Sequence, residues 1–166
     1  MHEQAQLEEY KMLRNDIQQR INFRFQLFNL LLVALAAILS IGLEKKNPDM
    51  LLVYPILSFF LTMSWIHQSV VMVKLARYLR DELEPKIPGL VWESYIQKDF
   101  KRFSSFSFIG MFANSGFILF SQALTLSLAF ISIEVWNTFT VFLGIVACIS
   151  TLLTLFFLIV YSRMKR

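Results

Sequence analysis

The sequence lacks the parts from which most active sites are assembled. Its 166 residues hold one cysteine, Cys148, so neither an intrachain disulfide nor a thiolate metal site can be built. The two histidines, His2 and His67, lie far apart and match no metal-ligand spacing. There is no glycine-rich phosphate loop and no Thr-Val-Gly-Tyr-Gly filter. Ser64 and His67 stand three residues apart, but no glycine-rich oxyanion turn accompanies them, so His67 reads as a helix-packing or interfacial residue. With no constellation of acid, base, nucleophile or metal ligand, neither enzymatic activity nor a cofactor is expected.

Charge is the other scarcity, and it is confined to particular places. Four stretches carry no Asp, Glu, Lys or Arg: 25–43, 50–73, 103–133 and 135–162. They are 19, 24, 31 and 28 residues long, and Glu134 alone separates the last two. About 20 apolar residues cross a hydrocarbon core, so the direct reading is four transmembrane helices. Composition agrees: 56% of residues are hydrophobic, 17 are Phe, and mean hydropathy is +0.54. Without a carboxylate, Lys or Arg inside the spans, a proton- or ion-coupled exchanger has no counter-charge for its cargo.

The basic residues give the orientation. Four precede the first span, seven lie between Lys74 and Arg102, and three follow the last, against Lys45 and Lys46 on the opposite side. Fourteen against two places both termini and the middle segment in the cytoplasm. The formal charge of +4 therefore reflects cytoplasmic loops, and no direct nucleic-acid binding is expected. No Ala-x-Ala-type cleavage site follows the first apolar block and no lipidation signal is present, so that block is expected to stay in the chain, with Met1 as the start.

The expected fold is an all-α membrane protein, a single domain over 1–166, entering and leaving on the cytoplasmic side. Residues 4–24 have no Gly or Pro, and no breaker divides them from the first span, so one helix over 4–43 is predicted. A second helix over 49–84 runs past its span until Pro85 and Pro88-Gly89 stop it. Leu7, Tyr10, Leu13, Ile17 and Ile21 form an apolar stripe on the first extension, and Leu75, Leu79 and Leu83 one on the second. These stripes either pack on each other or also meet neighbouring copies or a cytoplasmic protein. Residues 90–103 read as a helix lying in the headgroup region, anchored by Trp92, Tyr95, Lys98 and Arg102. Spans over 104–133 and 135–162 complete the chain.

The third span carries polar residues in a pattern. Ser107, Asn114, Ser121, Thr125 and Ser132 fall within about 40° of one another on a helix, flanked by Gly110 and Gln122. Asn137, Gly144, Cys148, Thr151 and Ser162 share a face of the fourth. One reading makes the two faces a seam within the helical hairpin. The other makes them the wall of a polar path, which needs several copies around an axis because four helices enclose little space.

The run "LEEYKMLRNDIQQRINFRFQL", together with "LARYLRDELEPKIPGLVWESYI" after the second span, resembles a group of small, uncharacterised bacterial multi-pass membrane proteins. It covers under a third of the chain. In general form the chain is also similar to membrane subunits of bacterial antiphage systems, such as the four-span subunit of Kiwa-type systems. The family resemblance carries no known activity and no functional residues; the expected location is the bacterial inner membrane, with the bilayer as first partner, and the likeness of general form points to a role in defence or stress. The first expectation is a homo-oligomeric pore or membrane-perturbing effector gated through its cytoplasmic helices; the alternative is a non-conducting anchor or sensor that recruits a soluble protein.

Overall fold

The computed structural model describes residues 2–45, 47–102, 104–133 and 137–164, with side chains described outside 2–3, 97, 99–112 and 164. Among them every regular element is helical: α1 (His2–Glu44), α2 (Pro48–Tyr78), α3 (Trp92–Arg102), α4 (Ser104–Ser132) and α5 (Thr138–Met164). A π-helical turn at Leu79–Leu83 and a 3₁₀ turn at Glu84–Lys86 continue α2. Four helices, all but α3, are long and apolar enough to cross a membrane. At 1.5 Å per residue the 43 residues of α1 extend about 64 Å, twice a hydrocarbon core.

Local chemistry sets the helix boundaries. Asn47 caps α2, its Oδ1 accepting from the Asp49 N–H at 3.1 Å, with Pro48 in the first helical position where a missing N–H costs nothing. Asn137 caps α5 through the Thr140 N–H at 2.8 Å. Gly89, at φ +85°, supplies the left-handed residue of the turn that leads into α3. The residue before α3 is Val91, which has no capping oxygen. The carboxylate of Glu84 does the work instead, accepting from the backbone N–H groups of Glu93 (2.5 Å) and Ser94 (3.1 Å) and from the Ser94 hydroxyl (2.7 Å).

Internal packing divides the chain into two compact units. One comprises Met1–Gln26 and His67–Met111, the other Leu27–Ile66 and Phe112–Arg166. The first has a small apolar core of Tyr10, Ile17, Leu79, Leu83 and Ile87, with Leu13, Ile21 and Leu75 packed against it. Of the apolar stripes on the two helix extensions, Tyr10, Ile17, Leu79 and Leu83 are buried in this core, while Leu7, Leu13, Ile21 and Leu75 stay half-buried. The second unit packs Leu51, Leu52, Ala129 and Ala147 at its centre, ringed by Ile38, Leu39, Leu126 and Leu143. Its outside is strongly apolar: Phe60, Phe120, Phe142 and Leu152 are each 62–65% exposed. Large aromatics outside and hydroxyls inside suit a helix bundle solvated by lipid rather than water.

The close approach of α1 and α2 depends on Gly42. A Cβ there would lie 2.5 Å from Leu51 Cδ2 and 2.7 Å from its Cγ, and Leu51 has no exposure left into which to move. We expect Gly42→Val to cost about 1–3 kcal/mol through overpacking. Thermal unfolding in detergent measures this; an unchanged midpoint would mean that the α1–α2 contact is looser than described. Glu84→Ala should cost about 1–2 kcal/mol by uncapping α3, with Glu84→Gln recovering part of it.

Candidate functional site

The polar residues of the second unit converge on one point. Ser121, Gln122 and Thr125 of α4 have no solvent exposure, nor do Ser58 and Thr62 of α2 or Thr154 of α5. The Gln122 side chain joins three helices: its Nε2 donates to Ser58 Oγ at 3.0 Å and to Thr154 Oγ1 at 3.2 Å. Beside it, the Tyr54 hydroxyl donates to Ser121 Oγ at 2.9 Å, and the Ser121 hydroxyl in turn donates to the Ile118 carbonyl at 2.8 Å. The remaining hydroxyls turn back onto their own helices. Thr62 donates to the Ser58 carbonyl (2.7 Å), Thr125 to that of Ser121 (3.1 Å) and Thr154 to that of Ser150 (2.8 Å). In hydrocarbon such back-bonding satisfies a hydroxyl without a partner helix. Gln122 Oε1 is the exception: it is buried, and none of the described residues bonds to it.

This arrangement is uncharged and closed. It can fix the register of α2, α4 and α5, because a slip of one helix would break the bonds to Gln122 and strand an amide in an apolar interior. Among the described residues no group of three or more His, Cys, Asp or Glu could hold a metal ion. Ser64 and His67 are both exposed.

Of the expected α4–α5 face, Ser121, Gln122 and Thr125 come together, while Asn114 is half-buried and the Ser107 side chain lies outside the described residues. Their partners differ from those expected. Asn137 is exposed and serves as a helix cap. Thr151 is half-buried and donates to its own Ala147 carbonyl at 3.0 Å. Gly144 and Cys148 border an apolar hollow of ≈ 290 Å³ with Phe130, Val141 and Leu152. The α5 hydroxyl that bonds to α4 is that of Thr154, about 60° round the helix from Thr151. The larger omission is α2. Tyr54, Ser58, Thr62 and Trp65 follow one another at steps of four, four and three and are all buried, a polar ladder legible in the sequence.

The first unit holds a cluster of a different kind. Arg14 of α1 pairs with Glu93 of α3 and lies 5.7 Å from the centre of the Trp92 ring. Arg20 donates to Gln68 Oε1 at 2.8 Å and to Asp16 at 3.2 Å, and the Tyr78 hydroxyl donates to Glu9 at 3.0 Å. Polar bonds between the helices thus surround the apolar core. Leu7 is half-buried. Of the expected headgroup anchors, Trp92 is 50% and Tyr95 62% exposed, Lys98 is exposed, and the Arg102 side chain falls outside the described residues.

No protein-family model matches the chain, and no curated protein or solved structure does.

Burial raises the Glu93 carboxyl above its ordinary value; the Arg14 guanidinium pulls it down and the Glu84 carboxylate adds to the rise. The ion pair offsets the cost of burial without reversing it. The folded chain therefore holds the Glu93 proton more tightly than the unfolded one. Glu93 favours folding below the unfolded-chain carboxylate pKa, and that contribution is lost as pH rises through the raised value. Glu93→Gln removes this dependence, so its unfolding midpoint should gain on wild type as pH rises above the ordinary carboxylate value. Parallel pH profiles for the two proteins would show that this assignment is wrong. In the second unit, Tyr54→Phe should cost about 0.5–1.5 kcal/mol, because Ser121 keeps its bond to Ile118.

Proposed function

We propose that this is a multi-pass protein of the bacterial inner membrane acting as a non-conducting platform that holds a soluble partner at the cytoplasmic surface. The four apolar helices support membrane insertion, and the bias of basic residues supports cytoplasmic termini and a cytoplasmic middle segment. The observation that carries the reading is the closure of the α4 face: Ser121, Gln122 and Thr125 are fully buried against α2 and α5. A polar path along that face would need the bundle to come apart. The exposed pair Trp92 and Tyr95, with Lys98 nearby, fits the headgroup region, where aromatic rings and cations both find partners. The partner then meets the charged outer surface, on which Glu8, Lys11, Arg77, Asp81 and Lys86 are all exposed.

A pore between copies is the second reading, favoured by one observation: Gln26 and Asn29 of α1 are uncharged amides left exposed next to an apolar segment. Several such helices around an axis would give a neutral polar wall. Ion flux through the purified protein in liposomes separates the two. The platform predicts leakage equal to that of empty vesicles at every protein-to-lipid ratio. Flux that rises with protein density and is abolished by substituting Asn29 would establish the pore instead.

A further inference from the structure

Helix α1 is the least covered of the four spans. Only 17% of its most apolar stretch is buried inside the chain, against 28–44% for the others. Its open side has a composition unlike that of the other outer surfaces. Asn15, Gln19, Asn22, Gln26 and Asn29 follow at alternating steps of four and three, and all five are exposed. Among the described residues none forms a hydrogen bond with the Asn22, Gln26 or Asn29 side chains. The same spacing continues through Val33, Ala36 and Ser40, again all exposed. Where α4 and α5 face outward they present Phe120, Phe142 and Leu152.

Alternating steps of three and four give a period of 3.5 residues, which keeps one stripe facing a neighbouring helix in a shallow left-handed crossing. The chemistry of the stripe selects the neighbour. Asn29 stands five residues past Arg24, about 7.5 Å into the apolar stretch, where lipid tails offer no hydrogen bond. A carboxamide both donates and accepts, so it is complementary to another carboxamide at the same depth. Copies inserted in the same orientation bring identical amides to identical depths. Beyond them, Ala36 and Ser40 are small enough to let two backbones approach. Charged partners would leave an unpaired ion beside the bilayer, and apolar ones would leave the amides unbonded.

We propose that a second copy of this chain packs in parallel along the α1 stripe, amide against amide in the polar half and small residue against small residue in the apolar half. The inference rests on the membrane reading above and not on the choice between platform and pore. It also relocates the self-association face. The stripe through Tyr10, Ile17 and Leu79 is buried within one chain, and the contact between copies uses the opposite side of the same helix.

Disulfide trapping in native membranes tests this, using the full chain in a Cys148→Ser background. Asn15→Cys, Asn22→Cys and Ala36→Cys lie on the stripe. Phe120→Cys on α4 and Leu152→Cys on α5 are also exposed but lie on other helices. Oxidation with copper phenanthroline or iodine should give covalent dimers at the three stripe positions, at least fivefold above the two controls. Equal trapping at both sets, or none at the stripe in protein that resists carbonate extraction, would overturn the inference while leaving the membrane reading intact. Protein released by carbonate would overturn both. Energy transfer between labelled copies in liposomes gives a second readout: Asn29→Ala should weaken association roughly 3- to 18-fold, the loss of one interhelical polar contact, and an unchanged association would count against the amide pairing.

Discussion

A bilayer interior offers a polar group nothing to bond, and the second unit is organised around that constraint. Gln122 meets it most directly. Its amide reaches hydroxyls on two other helices, and each of those hydroxyl-bearing residues belongs to a run of polar residues buried beside apolar neighbours. Ser, Thr and Gln join Leu51, Leu52, Ala129 and Ala147 inside the bundle, while large apolar side chains such as Phe60, Phe120, Phe142 and Leu152 lie on its exterior. In lipid the apolar effect does not press helices together, so packing and these few bonds hold them. Close approach matters for the same reason, and Gly42 against Leu51 shows how little room remains.

The first unit obeys ordinary aqueous rules. It hides an apolar core between two helix extensions and spends its charges at the margins, on Arg14–Glu93, Arg20–Asp16 and the Glu84 cap. Glu84 is the instructive residue there. A short helix with Val at its capping position has no local way to satisfy its first N–H groups, so a carboxylate nine residues upstream supplies the acceptor. That contact fastens α3 to the end of α2 and positions Trp92 and Tyr95 on the exposed side.

Much of the architecture was legible because it follows from charge placement and helical period. Four uncharged runs, Pro85 and Pro88-Gly89 as stops, and the absence of breakers before residue 42 are one-dimensional signals. The partners of the polar face were not legible to the same degree. Ser121, Gln122 and Thr125 stand out on α4, but helical phase alone cannot say which neighbour they meet. Thr151 and Thr154 are both plausible on α5, and only packing decides for Thr154. The α2 ladder through Tyr54, Ser58 and Thr62 was present in the spacing but masked by pairing the α4 face with α5 alone. Nor could spacing reveal the Asn15–Asn22–Asn29 row as a surface feature. That required knowing which side of α1 the chain covers.

The central claim is that the α4 polar face is a dry seam inside each bundle and not the wall of an aqueous path. Labelling of Ser121→Cys and Thr125→Cys by a small, membrane-impermeant thiol reagent, in Cys148→Ser protein in liposomes, tests it most directly. The seam predicts no labelling in the folded protein and full labelling once the chain is unfolded in SDS. Rapid labelling of both positions in the folded protein, at the rate of an exposed site such as Asn47→Cys, would contradict it.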